Sequence, residues 1–104
     1  TFSSCFNGCT TLSTCPSTLF DTNTQVVNFS ATFRLCRSLT APLQFTNNTA
    51  VTIFSNVYNM STTSNLLTGS APTLWTRTPT PAGTAAFRNC IGLSNYASIP
   101  STWK

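Results

Sequence analysis

Apolar and polar positions alternate between residues 24 and 39, and this pattern predicts a β-strand. A period of two is typical of a strand with one buried face. The pattern places Asn28 on the solvent side of the strand. Cys36 is expected on the same side, unless a bulge or the end of the strand turns its side chain to the other face. The alternating apolar positions are Val27, Phe29, Ala31, Phe33 and Leu35.

Shorter segments downstream predict further strands. Residues 43–45 and 50–60 flank an Asn47-Asn48 turn and are interpreted as a hairpin. Residues 73–77, 84–93 and the tail to residue 104 are further strand candidates. Pro79 and Pro81 exclude a central strand at residues 76–84, because proline has no N–H group to donate to a neighbouring strand.

These segments favour an all-β fold, a small antiparallel β-sandwich with disulfide staples. The architecture is Ig-like, but the immunoglobulin hallmarks are missing. No Trp lies about a dozen residues after Cys36, and no Tyr stands two residues before Cys90. We expect little helix and no internal repeat of about 20–50 residues. Residues 1–104 are interpreted as a single domain, with 1–20 a Cys-rich segment packed on the body or on a neighbouring subunit.

Charged side chains are scarce, and this scarcity excludes most catalytic chemistry. Only 6% of residues are charged, the net charge is +4, and 44 of 104 residues are Thr, Ser or Asn. His and Glu are absent and Asp21 is the one acidic side chain. A glycosidase carboxyl pair or a Ser-His-Asp triad therefore cannot be assembled. The sequence predicts a protein that is not an enzyme and has no cofactor, metal or catalytic residue.

Five cysteines indicate disulfide bonds and an oxidising compartment. Their spacing does not fit the paired pattern of a four-Cys zinc site. The preferred pairing joins Cys36 to Cys90 and two of the first three cysteines to each other. The odd cysteine is then either a buried free thiol or an intermolecular bridge. The disulfide candidates are Cys5, Cys9, Cys15, Cys36 and Cys90.

Glycosylation signals agree with a secreted protein. Three sequons begin at Asn28, Asn47 and Asn59, and they are N-glycosylation candidates. Alternating Thr and Pro is the composition of O-glycosylated segments. The chain begins with Thr1, so we expect a signal peptide to have been removed. The predicted location is extracellular, as a secreted protein or a cell-surface appendage. The O-glycosylation candidates are Thr76, Thr78, Thr80 and Thr84.

Two function hypotheses follow from the absence of catalytic groups. The first is a structural subunit that self-assembles with copies of itself into a filament, coat or wall layer, through β-strand and disulfide contacts. The second is a secreted module that binds carbohydrate or a cell-surface partner. A small secreted inhibitor or effector is a third option. Candidate contact residues for a glycan or partner are Trp75, Trp103, Tyr58 and Tyr96, with Arg34 and Arg37 as contacts for an anionic glycan.

Two partner classes are not expected. Nucleic-acid readers cluster Lys and Arg on one face, and here only Arg34 and Arg37 are close in sequence. No apolar run approaches the roughly 18 residues needed to cross a bilayer. The sequence therefore predicts neither nucleic-acid binding nor a membrane-spanning segment.

Overall fold

The structure, a computed structural model of residues 1–104, contains no β-sheet, and the predicted β-sandwich is wrong. Its helices are three single turns of 3-10 helix, Leu74–Thr76, Tyr96–Ser98 and Ser101–Trp103. The rest of the chain is turns and loops. Three isolated parallel bridges join Asn28 to Ile53, Ile53 to Ala82, and Gly69 to Leu93.

Residues 28–36 show why the alternating pattern does not form a strand. The buried positions are Phe29, Thr32, Phe33 and Cys36, with spacings of three, one and three rather than two. Overlapping turns produce this spacing, because the N–H groups of residues 32, 34 and 36 each donate to the carbonyl three residues earlier. Leu35 and residue 31 have φ of 62° and 54°, in the left-handed region, which interrupts a pleated strand.

This arrangement occurs four times, in residues 1–9, 28–36, 53–61 and 82–90, which we call the turn segments. Phe6, Phe33, Tyr58 and Phe87 occupy the same position in the four segments and are 27, 25 and 29 residues apart. Each of the first three turn segments donates backbone hydrogen bonds of 2.7–3.1 Å to the next in parallel register. The chain is therefore a solenoid of stacked coils. The expectation of no internal repeat is wrong.

Aromatic rings stack through the solenoid interior. Phe6 lies 5.4 Å from Phe33 with ring planes 6° apart, and Phe33 lies 5.2 Å from Tyr58 with planes 5° apart. Tyr58 and Phe87 continue this column at 5.9 Å. Since one ring comes from each coil, the column joins all four coils into a core of 21 buried apolar residues. We call these four rings the central aromatic column.

Side-chain hydrogen bonds also join neighbouring coils. The buried Asn48 amide donates to the carbonyls of Phe20 and Asn23, at 3.0 and 3.1 Å. The Tyr58 hydroxyl accepts a 2.7 Å hydrogen bond from the Leu43 N–H. These bonds satisfy polar groups that would be costly to bury alone. The Cys-rich segment 1–20 is part of this solenoid and forms most of its first coil.

None of the helices has the length and apolar character that crossing a bilayer requires.

Candidate ligand-binding face

The turn segments place equivalent residues in columns on the outside of the solenoid. The third residue of every turn segment has a hydroxyl side chain. We call these residues the hydroxyl column, and they are Ser3, Ser30, Ser55 and Thr84. Backbone bonds fix its register, because the residue following each of the first three donates to the carbonyl of the next member at 2.9–3.0 Å. The Ser3 and Ser30 hydroxyls are also hydrogen-bonded to each other at 2.9 Å.

The seventh residue of the turn segments is alternately an amide and a cation, and we call these four residues the amide–cation column. Its members are Asn7, Arg34, Asn59 and Arg88. Gly8 N–H donates to the Arg34 carbonyl at 2.8 Å, and equivalent bonds of 3.0 Å reach the carbonyls of Asn59 and Arg88. Neighbouring coils have nearly the spacing of strands in a sheet, so the two arginines start roughly 10 Å apart, with Asn59 between them.

Arg37 adds a third cation at the end of the second turn segment, where it is exposed. The turn segments and residue 37 contain no Asp or Glu, so no acidic side chain of this surface neutralises the arginines. Asp21 instead lines a separate cleft with Ser17 and Gln44. We call the hydroxyl column, the amide–cation column and Arg37 together the ladder face. It can bind anionic groups through guanidinium donors and orient a polar ligand through its hydroxyls and amides.

The three sequon asparagines differ in their surroundings. Asn28 is half-buried, and its Oδ1 accepts a 2.8 Å hydrogen bond from the Ser30 N–H. Asn59 is also half-buried, and its Nδ2 donates to Asn56 Oδ1 at 2.7 Å. Asn47 is exposed in a turn and has no such bond. The O-glycosylation candidates Thr76, Thr78, Thr80 and Thr84 are all exposed.

The predicted aromatic contact residues do not lie together on the surface. Tyr58 is fully buried in the central aromatic column, and Trp103 is 5% exposed. Trp75 is half-buried and its ring meets Trp103 edge-on at 6.1 Å. Tyr96 is half-buried beneath the Lys104 ammonium, 4.8 Å from the ring centre. The structure therefore offers no exposed platform of these four rings.

All five cysteines are free thiols, so the predicted disulfide staples are wrong. Cys36 and Cys90, the preferred pair, belong to the second and fourth coils, and the third coil lies between them. The Cys36 thiol donates to the Phe6 carbonyl at 3.1 Å, and the Cys90 thiol donates to the Tyr58 carbonyl at 3.1 Å. Both are buried parts of the core that fill the end of a turn segment.

Burial raises the pKa of these thiols, to about 11 for Cys36 and about 12 for Cys90. The neighbouring Cys9 and Cys15 also contribute to the shift at Cys36. Desolvation disfavours the thiolate, so both groups keep their protons in the folded protein when exposed thiols have ionised.

Stability should therefore fall as the pH rises above about 9. In that range the unfolded chain loses thiol protons that the folded chain retains, so unfolding releases protons and high pH favours it. The loss should continue until the pH passes the folded pKa values of about 11 and about 12. Urea titrations at several pH values above 8 would measure it. Cys90→Ala should show a shallower decline than the parent protein, and equal declines would contradict this origin.

No group of three or more His, Cys, Asp or Glu side chains is arranged to hold a metal ion. The ladder face is therefore described by hydrogen bonding and charge alone. Of the three arginines on this face, Arg88 is the one that sequence reasoning did not propose as a contact. Its signal was the repeat, since it stands directly after Phe87 as Arg34 stands after Phe33.

Comparisons with protein-family models, with curated proteins and with solved structures gave no match.

Proposed function

We propose that this protein is a non-catalytic recognition module that binds an acidic polysaccharide of a cell surface through the ladder face. The observation that carries the proposal is the column Asn7, Arg34, Asn59, Arg88, which places two cations on alternate coils with no acidic neighbour. Solenoids commonly use such repeated surfaces for binding. The proposal follows the second function hypothesis and keeps its Arg34 and Arg37, but not its four aromatic contact residues.

The spacing of the cations favours a glycan over a nucleic acid. Successive phosphates of one DNA strand advance about 3.4 Å along the helix axis, whereas Arg34 and Arg88 are separated by roughly 10 Å. In an extended polysaccharide with an acid group on every second sugar, the charges are separated by a disaccharide repeat, which is close to the arginine spacing. The hydroxyl column stands four residues before the amide–cation column in each turn segment, and we expect it to supply hydroxyls for the neutral sugar between two acid groups.

Removing both column arginines should weaken this binding strongly. We expect Arg34→Gln/Arg88→Gln to weaken binding of hyaluronan fragments at least tenfold, because each charge-assisted hydrogen bond contributes about 1.5–3 kcal/mol. Isothermal titration calorimetry at low and moderate salt would measure the affinity.

The matched control for that experiment is Lys104→Gln, which removes one positive charge outside the ladder face and should leave the affinity unchanged. A neutral glucan of equal length should not bind, and single-stranded DNA should bind more weakly than the acidic glycan. Equal loss in Lys104→Gln, or tighter binding of DNA, would contradict the proposal.

Self-assembly is a second candidate, supported by unpaired backbone groups. The carbonyls of Ser3, Cys5 and Asn7 accept no hydrogen bond within this chain, whereas Ser30 and Arg34, in the next turn segment, accept bonds from the first. Another coil, including one from a second copy, can pair with this edge. At the other end of the solenoid the N–H groups of Ala85 and Phe87 already donate to Thr102 and Trp103, so a head-to-tail contact requires residues 102–103 to move aside. Such a contact produces open filaments when it does not close into a ring.

Sedimentation velocity over a range of concentrations would test self-assembly. We expect the mean sedimentation coefficient to rise steadily with concentration, since each added copy presents the same edge again. A single monomer boundary at the highest concentration would contradict this candidate without affecting the glycan proposal. An extracellular location is proposed from the three sequons alone, because the cysteines are unpaired and give it no support.

A further inference from the structure

A second cleft is lined by the residues that directly precede the third and fourth turn segments in the chain. It has a volume of about 310 Å³ and is formed by residues 49–52 of one coil and 77–81 of the next. Val51, Pro79 and Pro81 contribute apolar lining, and four threonines complete the lining beside them, Thr49, Thr52, Thr78 and Thr80. A cleft of this size accommodates a small molecule rather than a polymer.

Arg77 is the only charged residue of this cleft, and its guanidinium is held in place. Nη1 donates to the Asn48 carbonyl at 2.8 Å, and Nη2 donates to the Phe45 carbonyl at 2.7 Å. The guanidinium carbon also lies 5.2 Å from the centre of the Phe54 ring. Two of the five N–H donors are used in these bonds, so three remain for a ligand.

The charge of Arg77 has no counterion in the cleft. None of the residues that line it is Asp or Glu. Partial burial removes part of the hydration of the guanidinium and lowers the pKa of Arg77. A bound anion would replace the lost hydration, and a carboxylate can accept two parallel N–H bonds from one guanidinium.

We propose that this cleft binds a small monocarboxylate with a flat apolar body, with its carboxylate on Arg77 and its body between Val51, Pro79 and Pro81. This site is separate from the ladder face and does not depend on the glycan proposal. Two hydrogen bonds fix the Arg77 guanidinium before binding, so this side chain loses little conformational freedom when the ligand binds.

Benzoate is the probe for this site and benzamide its neutral, isosteric control. In two-dimensional NMR titrations we expect benzoate to shift the amide signals of residues 49–52, 77, 78 and 80 with a Kd on the order of 1 mM. Benzamide should bind at least tenfold more weakly. Absence of benzoate shifts in this cleft, or equal affinity for the two probes, would overturn the proposal.

Two variants test the two parts of the cleft. Arg77→Lys keeps the charge but loses the fork, and should weaken benzoate binding at least tenfold. Because Arg77 also bonds to two backbone carbonyls, a second variant leaves it untouched. Ala50→Phe adds a ring to the cleft at an exposed position and should block the site. The NMR signals of residues outside the cleft should stay at the positions of the folded parent protein. Unchanged benzoate affinity in a folded Ala50→Phe variant would overturn the proposal.

Discussion

Gly83→Ala should destabilise the protein by about 3 kcal/mol, the upper end of what overpacking a core costs. Gly83 occupies the place of Phe2, Phe29 and Phe54 in the fourth turn segment. Trp103 closes the space beside it, and a Cβ added at Gly83 would overlap the six-membered ring of that tryptophan. The ring cannot move away freely, because it is stacked on Phe87 at 6.5 Å.

Urea unfolding followed by circular dichroism would measure the loss. Thr84→Ala, at the exposed next position, is the matched control and should change the free energy of unfolding by less than about 0.5 kcal/mol. Trp103→Ala alone should cost roughly 3–5 kcal/mol, and the double variant should cost less than the sum of the two. Additive losses would show that the two side chains do not compete for the same space.

The turn segments were recognisable in the sequence, although the period-two interpretation hid them. Three of them have Phe-Ser as their second and third residues, with the Phe at positions 2, 29 and 54, and an aromatic residue follows four positions after each Phe. A comparison of these three stretches would have predicted the stacking register. Alternation of apolar and polar residues over nine positions fits a strand equally well, so periodicity alone could not distinguish them.

Backbone conformation was the part that residue types could not predict. The fourth residue has a left-handed φ in every turn segment, at Ser4, Ala31, Asn56 and Ala85. Alanine is unfavourable in this region by roughly 1–2 kcal/mol, so local preference opposes the observed structure there. Stacking between coils stabilises it, and that interaction depends on residues about 27 positions away.

The candidate site was predicted in part. Arg34 and Arg37 were proposed as contacts for an anionic glycan, and the structure places both on the ladder face. Tyr58 was proposed as a surface aromatic because amphipathic rings are common at binding sites. It is instead fully buried, with its hydroxyl bonded to a backbone N–H. A single sequence without a recognised repeat cannot distinguish these two uses of tyrosine.

Phe33→Ala should cost about 4 kcal/mol and reduce the cooperativity of unfolding. Phe33 is fully buried and is stacked between Phe6 and Tyr58, so its loss removes both contacts of the central aromatic column in the second coil. Phe→Ala substitutions in a core typically cost 3–5 kcal/mol, a large part of the 5–15 kcal/mol that holds a domain together.

The effect on cooperativity follows from the solenoid architecture. Each coil contacts only its neighbours, so weakening one interior interface allows the first coil to unfold separately from the third and fourth. Hydrogen exchange should then show residues 1–9 losing protection before residues 82–90, and the denaturant slope m should decrease.

Phe2→Ala is the comparison for this experiment. Phe2 is a half-buried residue of the first coil, and its ring stacks on Phe29 of the second coil only. It should cost less and leave m unchanged, because it weakens only one end of the stack. An unchanged m together with a loss below about 1 kcal/mol in Phe33→Ala would show that ring stacking does not couple the coils.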